Sequence, residues 1–119
     1  GQTESDRLAD CLYKAAEQIL KNQVIRTDYA RDGDPDWEEN FYILRKTPCV
    51  AVLSENYFMD NKSDLEYLQN QTGKQAIIDT HVEGIEEWIE NKKKDNAIQK
   101  PAVQSNKRDL RPKCLAIDI

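Results

Sequence analysis

The residue best suited to chemistry in this chain is a glutamate that ends an apolar segment. Cys49–Leu53 has the composition of a buried strand, and Glu55 follows two residues later. In open α/β sheets, functional side chains gather at the carboxyl ends of strands, where the chain leaves the core. A half-desolvated carboxylate there would be a usable proton acceptor. Position alone slightly favours a structural role instead, such as helix capping or an ion pair with Arg45 or Lys46.

A second candidate is the acidic segment Asp32–Asp36, which begins like a calcium-binding loop. Oxygen ligands at alternate positions suit a hard cation. The rest of the pattern does not fit, because Trp37 occupies the sixth position, where such a loop needs glycine, and Ile43 stands where the closing glutamate belongs. The segment is therefore predicted to be a solvated acidic loop.

The histidine and cysteine residues give no metal or nucleophile signature. His81 is the only histidine, and it lies on or beside the apolar face of a predicted helix, which favours a core or boundary imidazole. A zinc site needs three or four protein ligands. The three cysteines, Cys11, Cys49 and Cys114, are widely separated, form no CxxC pair and are odd in number, so buried free thiols are predicted.

Length and charge restrict the class of protein. The chain has 119 residues, which is typical of one domain, and its net charge of −5 argues against binding to nucleic acid or to an anionic membrane surface. No apolar segment reaches the roughly 20 residues that a membrane-spanning helix needs. The opening GQTESDR has no signal-peptide character, so any export signal is expected outside this chain.

Two amphipathic helices are predicted. The first covers residues 6–21, because hydroxyl and acidic residues at Thr3–Asp6 suit a helix start and apolar residues follow at helical spacing. The second covers residues 74–92, with one broad apolar face that includes His81. Its basic end, Lys92–Lys94, complements the negative pole of the helix dipole.

Shorter elements are predicted between these helices. Residues 22–40 form an exposed loop, because the segment DYARDGDPDWEEN is rich in turn-forming residues. Residues 41–44 form a short strand or a helical turn, and residues 49–54 form a strand. A short helix then begins at Ser63, which has the capping-box spacing to Glu66.

Several of these motifs occur together in the order of one known family. An apolar strand ends in glutamate, a phenylalanine follows, and an asparagine comes three residues later; the matching residues are Glu55, Phe58 and Asn61. Ser5–Ala9 is similar to a family helix in which a serine precedes a leucine-alanine pair, and His81–Ile85 is similar to a last helix that carries glycine followed by isoleucine. The family is that of the zinc-dependent N-acetylmuramoyl-L-alanine amidases, bacterial cell-wall hydrolases also found in phage lysins.

The resemblance covers about residues 2–92 and implies an α/β fold, with a mostly parallel sheet flanked by helices. It further implies an incomplete amidase domain. Residues 1–94 would be the C-terminal portion of the catalytic domain, and residues 95–113 would be a linker-like segment. Residues 114–119 would form a terminal strand, which resembles the opening strand of the same family and leaves a permuted or truncated order open.

The resemblance also implies a reaction. Family members cleave the amide between N-acetylmuramic acid and the L-alanine of the peptidoglycan stem peptide, with Zn²⁺ lowering the pKa of the attacking water and polarising the carbonyl. Glu55 would be the catalytic residue that transfers the water's proton to the departing amine. The protein would act in the cell envelope or as part of a phage lysin.

The sequence departs from the family at the metal. The family's zinc is held by two histidines and a glutamate that precede every motif matched here, so no zinc ligand is assigned to this chain. The alternative to the enzyme is therefore a metal-free module that binds peptidoglycan, or regulates its hydrolysis, without cleaving it.

Overall fold

The computed structural model describes residues 3–20 and 40–98 with their side chains and residues 113–117 as backbone. The elements in chain order are α1 (Glu4–Ile19), α2 (Tyr42–Lys46), β1 (Val52–Asn56), α3 (Lys62–Gln69), α4 (Gln71–Ile98) and β2 (Lys113–Ile117). The strands β1 and β2 pair in parallel, with Glu55 opposite Ala116.

The predicted fold class, a mostly parallel sheet flanked by helices, is wrong for the described residues. They are mostly helical, and their strand content is the two five-residue segments β1 and β2. The physical reason lies in the lengths of the periodic segments. The helical pattern persists for 16 residues in α1 and 28 in α4, whereas each strand is five residues long.

Helix α1 begins with a complete capping box. The Thr3 side chain accepts a hydrogen bond from the Asp6 backbone N–H, and the Asp6 carboxylate accepts one from the Thr3 backbone N–H. These bonds satisfy backbone donors that have no partner within the helix. The helix starts two residues before the predicted position, and Ala9 and Ala16 on its apolar face are fully buried.

Helix α4 packs along α1, and small residues allow the two backbones to approach closely. Gly84 is buried, and a Cβ added there would lie 2.8 Å from the Leu12 Cα. At the rim, the Lys14 Nζ lies 3.0 Å from the Glu87 Oε1, and the Arg7 Nη1 lies 3.1 Å from the Asp95 Oδ2. Because these pairs are largely exposed, they contribute less to stability than the apolar contact does.

Two groups of buried side chains surround this helix pair. Ala16, Leu20 and Tyr57 form one cluster, which places the turn after β1 against the end of α1. Leu12 and Tyr13 form the other, and Val52 packs on it. The strand β1 is thus attached to α1 through both clusters.

Helix α3 begins at a different cap from the one predicted. The N-cap is Asn61, whose side-chain oxygen accepts from the Asp64 backbone N–H at 3.1 Å, and Ser63 already lies inside the helix. The Ser63 hydroxyl donates to the same Asn61 oxygen. The capping box predicted for Ser63 is therefore wrong, because asparagine two residues earlier is an equally good cap.

Some predictions fall on residues that the structure does not describe. The acidic segment 32–36 lies there, as does most of the linker-like segment 95–113. Helix α4 continues to Ile98, beyond the predicted end at residue 92. Residues 41–44, left open between a strand and a helical turn, belong to the helical region, since α2 begins at Tyr42.

Gly84→Ala should lower the free energy of unfolding. Alanine would favour the helix by about 1 kcal/mol, but its Cβ would lie 2.7 Å from the Leu12 Cδ2 and 2.8 Å from the Leu12 Cα. Overpacking of this kind costs about 1–3 kcal/mol, and the backbone atom cannot move without shifting α1. Urea denaturation measures the change, with Glu83→Ala on the exposed side of α4 as the control. A Gly84→Ala protein at least as stable as the wild type would contradict the close packing.

Candidate functional site

The predicted catalytic residue lies where the sequence placed it, near the carboxyl end of the strand β1. Its surroundings differ from the prediction, because the Glu55 side chain is exposed and not half-buried. Side chains alternate along a strand. Within the described part of the chain, neither Arg45 nor Lys46 forms an ion pair with Glu55. The carboxylate is therefore accessible to a ligand from solvent.

The residue before Glu55 anchors the strand to α4. The His81 Nδ1 lies 2.7 Å from the carbonyl oxygen of Ile77, which can only accept, so Nδ1 carries the proton. The His81 Nε2 lies 2.6 Å from the Ser54 Oγ and shares a hydrogen bond with it. The Asn56 Nδ2 donates to the same hydroxyl at 3.2 Å. These bonds fix both neighbours of Glu55.

A buried tyrosine directly follows the strand β1 and has an uncommon backbone conformation. Tyr57 has φ of 65°, in the left-handed region, where a residue with a Cβ costs about 1–2 kcal/mol. Packing of its ring against Ala16 and Leu20 and against Tyr67, whose ring centroid lies 5.1 Å away, offsets that cost. Burial, and then the neighbouring Tyr67, raises the pKa of Tyr57. The tyrosine is thus a rigid, neutral support for the end of β1.

The two other residues that match the family pattern belong to the turn that follows. Asn61 caps α3, and Phe58 is 45% exposed. The backbone N–H of Phe58 donates to the Asp64 carboxylate at 3.1 Å, and Asp64 is almost fully buried. The turn is therefore tied to the first residues of α3, and the Phe58 ring lies at the surface close in sequence to Glu55.

A separate cleft lies between α1 and α4. It has a volume of about 450 Å³, and its lining residues come from those two helices alone. The ion pairs Arg7–Asp95 and Lys14–Glu87 belong to this lining, and the hydrogen bond from Lys14 to Glu87 raises the pKa of the lysine. Glu55 does not line this cleft.

The cysteines agree only in part with the prediction of buried thiols. Cys11 is buried in the wall of the α1–α4 cleft, and burial raises the pKa of its thiol, as do Glu87 and Asp10. Cys49 is exposed, against the prediction, because it precedes β1 and the apolar run is only partly covered. The side chain of Cys114 lies outside the described residues.

The described residues do not fit a zinc site. No three His, Cys, Asp or Glu side chains among residues 3–20 and 40–98 come together in a way that could hold a metal ion. Both nitrogens of His81 already have hydrogen-bond partners, Ser54 and Ile77. The described residues by themselves therefore do not form a zinc site.

The Ser54–His81 pair is the feature that sequence reasoning missed. Its signal was present, because Ser54 interrupts an apolar strand and His81 lies on the apolar side of a helix. Each polar residue suggested only a boundary position by itself. Their pairing depends on how the strand lies against α4, which the spacing along the chain does not specify.

With this geometry established, comparison with known proteins decides the family. Residues 1–87 match the N-acetylmuramoyl-L-alanine amidase family. This chain belongs to that family. The match confirms the resemblance drawn from Glu55, Phe58 and Asn61. Zinc dependence is a general property of the family.

Three curated relatives are similar over part of their length. N-acetylmuramoyl-L-alanine amidase CwlM of Bacillus licheniformis is 33% identical over 56% of this chain and 26% of its own length. The endolysin of Bacillus phage SPP1 is 40% identical over 44% of this chain and 19% of its own. The sporulation-specific N-acetylmuramoyl-L-alanine amidase of Bacillus subtilis (strain 168) is 31% identical over 65% of this chain and 30% of its own.

The amidase-family chain thus matches between about a fifth and a third of the length of these relatives. No solved structure matches it significantly. Among the described helices, none combines the length and the apolar character that crossing a membrane requires.

Ser54→Ala should destabilise the protein. The change removes the hydroxyl that lies 2.6 Å from the His81 Nε2 and so leaves this nitrogen without its partner in a partly buried place. The Asn56 amide loses the same hydroxyl but keeps the Ser54 carbonyl oxygen. An unsatisfied polar group costs about 1–3 kcal/mol. The free energy of unfolding in urea measures the loss. Ser63→Ala is the control, since its hydroxyl is exposed and bonds only at the start of α3; equal losses in the two variants would contradict the anchoring role.

Proposed function

We propose that this chain is part of a peptidoglycan amidase and that Glu55 is its proton-transfer residue. The observation that carries the proposal is the match to the amidase family over residues 1–87, which includes Glu55 at the end of β1. The bond cleaved would be the amide between N-acetylmuramic acid and the L-alanine of the stem peptide. The names of the relatives support the same reaction class.

Glu55 is suited to proton transfer by its position. A water molecule that attacks the amide carbonyl must lose a proton as the carbon–oxygen bond forms, and the exposed Glu55 carboxylate can accept it. When the carbon–nitrogen bond breaks, the departing amine needs a proton, which the protonated Glu55 returns. The carboxylate is thus restored at the end of each turnover.

The neighbours of Glu55 would hold it in place for this step. Ser54 shares a hydrogen bond with His81 and accepts one from the Asn56 amide, and the next residue, Tyr57, is buried. A rigid support of this kind keeps a catalytic side chain in a productive position. Exposed apolar side chains follow at Phe58 and Met59, which are 45% and 78% exposed. These two side chains, close in sequence to Glu55, offer a contact surface for the stem peptide or the sugar of the substrate.

Zinc is a general requirement of the family, and the described residues of this chain do not supply a site for it. No step of the proposed reaction is therefore assigned to the metal here. The same observation favours the second candidate function, a metal-free module that binds peptidoglycan, or regulates its cleavage, without hydrolysis. Both functions place the protein at the bacterial cell wall, in the cell envelope or as part of a phage lysin, which agrees with the endolysin relative.

Glu55→Gln should abolish hydrolysis of a muramoyl-peptide while leaving peptidoglycan binding intact. The amide has nearly the same shape as the carboxylate but cannot accept the water's proton, and loss of a general base lowers rates by about 10²–10⁴-fold. Release of the peptide amine measures the activity, and sedimentation with insoluble peptidoglycan measures binding. Elemental analysis for zinc accompanies both.

Glu83→Gln is the matched control, because Glu83 is also an exposed glutamate but lies on α4. Activity that is lost in Glu55→Gln and kept in Glu83→Gln supports the enzyme. Hydrolysis by Glu55→Gln at the wild-type rate would exclude the assigned role. A wild-type chain that binds peptidoglycan, carries no zinc and releases no amine would establish the non-hydrolytic module instead.

A further inference from the structure

Helix α4 carries a second apolar face that nothing in the described structure covers. Ile78, Val82, Ile85 and Ile89 are between 41% and 53% exposed. The face of α4 that packs within the molecule runs through Gly73, Thr80 and Gly84, which are buried. At about 100° per residue, the exposed side chains lie roughly 150° around the helix from that buried face. We call the four exposed residues the α4 stripe.

The spacing of the α4 stripe is that of a helix-pairing seam. The steps between its members are four, three and four residues, so Val82 and Ile89 take the a positions of a heptad and Ile78 and Ile85 the d positions. All four side chains are β-branched, which makes them stiff and lowers the entropy lost on packing. A contiguous exposed apolar patch on a protein surface marks an interaction site more often than scattered apolar residues do.

The charges beside the stripe indicate a second copy as the partner. In a parallel pair, a residue at a g position faces the e position five residues later in the other helix. Lys74 takes a g position and Asp79 the next e position, so each copy would place its Lys74 beside the other copy's Asp79. Two opposite-charge pairs would then flank the stripe at its N-terminal end.

The same charges disfavour an antiparallel pair. There, e positions face e positions, and Asp79 of one helix would lie beside Glu86 of the other at both ends of the contact. Like charges so placed are repulsive. The parallel arrangement avoids this contact and keeps α1 on the far side of each helix.

We propose that the chain self-associates through the α4 stripe, as a parallel α4–α4 pair related by twofold symmetry. The contact covers Ile78, Val82, Ile85 and Ile89 of both copies and is flanked by Lys74–Asp79 pairs. With about two heptads in the seam, the pair is reversible, and its population rises with protein concentration. Glu55 lies outside the stripe, so the proposal does not depend on the amidase reaction.

Sedimentation velocity of the full chain over a concentration series tests the association. The molar mass should rise from the monomer value of 13.8 kDa toward twice that value. Val82→Glu should shift the protein to the monomer, whereas Gln69→Glu, which adds the same charge on the exposed end of α3, should not. Circular dichroism shows whether each variant keeps its helix content, and Ile85→Glu repeats the test at the neighbouring layer.

Charge reversal tests the partner and its direction. Lys74→Glu and Asp79→Lys should each weaken the association, and the double variant should restore it. In a background of Cys49→Ser and Cys114→Ser, Val82→Cys should form a disulfide with its own counterpart, because equivalent a positions meet in a parallel pair. Glu83→Cys, one residue further around the helix, should not.

Three results would overturn the proposal. A monomeric mass at every concentration would exclude self-association of the chain. A dimer whose population is unaffected by Val82→Glu would show that the interface lies outside the α4 stripe. Cross-linking only when Val82→Cys is mixed with Ile85→Cys would establish the antiparallel arrangement.

Discussion

The close contact between Leu12 on α1 and Gly84 on α4 is the interaction on which the rest of the described structure depends. A glycine at that point removes the side chain that would keep the helices apart, since a Cβ there would lie 2.8 Å from the Leu12 Cα. Leu12 can then pack with Tyr13 and Val52. The helix pair is therefore the platform on which the strand β1 rests.

The strand is held on this platform at both ends. At its start, the Ala51 backbone N–H donates to the Ser5 hydroxyl at 3.2 Å, and Ser5 is fully buried on α1. Toward its end, Ser54 pairs with His81 on α4. These contacts involve one side of the strand, and Glu55 is exposed. An accessible carboxylate on a fixed backbone follows from this arrangement.

Sequence patterns predicted the helices and the candidate carboxylate because both are local properties. The periodicity that defines α1 and α4 lies within each segment, and Glu55 was recognisable from Phe58 and Asn61 nearby. The exposure of Glu55 was not predicted, because it depends on which face of β1 the helices cover. The fold class failed for a related reason, since the sheet was inferred from a family resemblance and the described chain contributes two short strands.

Native-state amide hydrogen exchange of the full chain tests the central claim, that the α1–α4 contact is the stable unit to which β1 is attached. Amides on the facing sides of the two helices, around Leu12 and around Gly84, should exchange slowest and at a common rate set by global unfolding. Those of β1 should exchange faster, through local opening that leaves the helices intact. If β1 exchanged as slowly as the helices, or if α1 and α4 exchanged at unrelated rates, the helix pair would not be the platform of this fold.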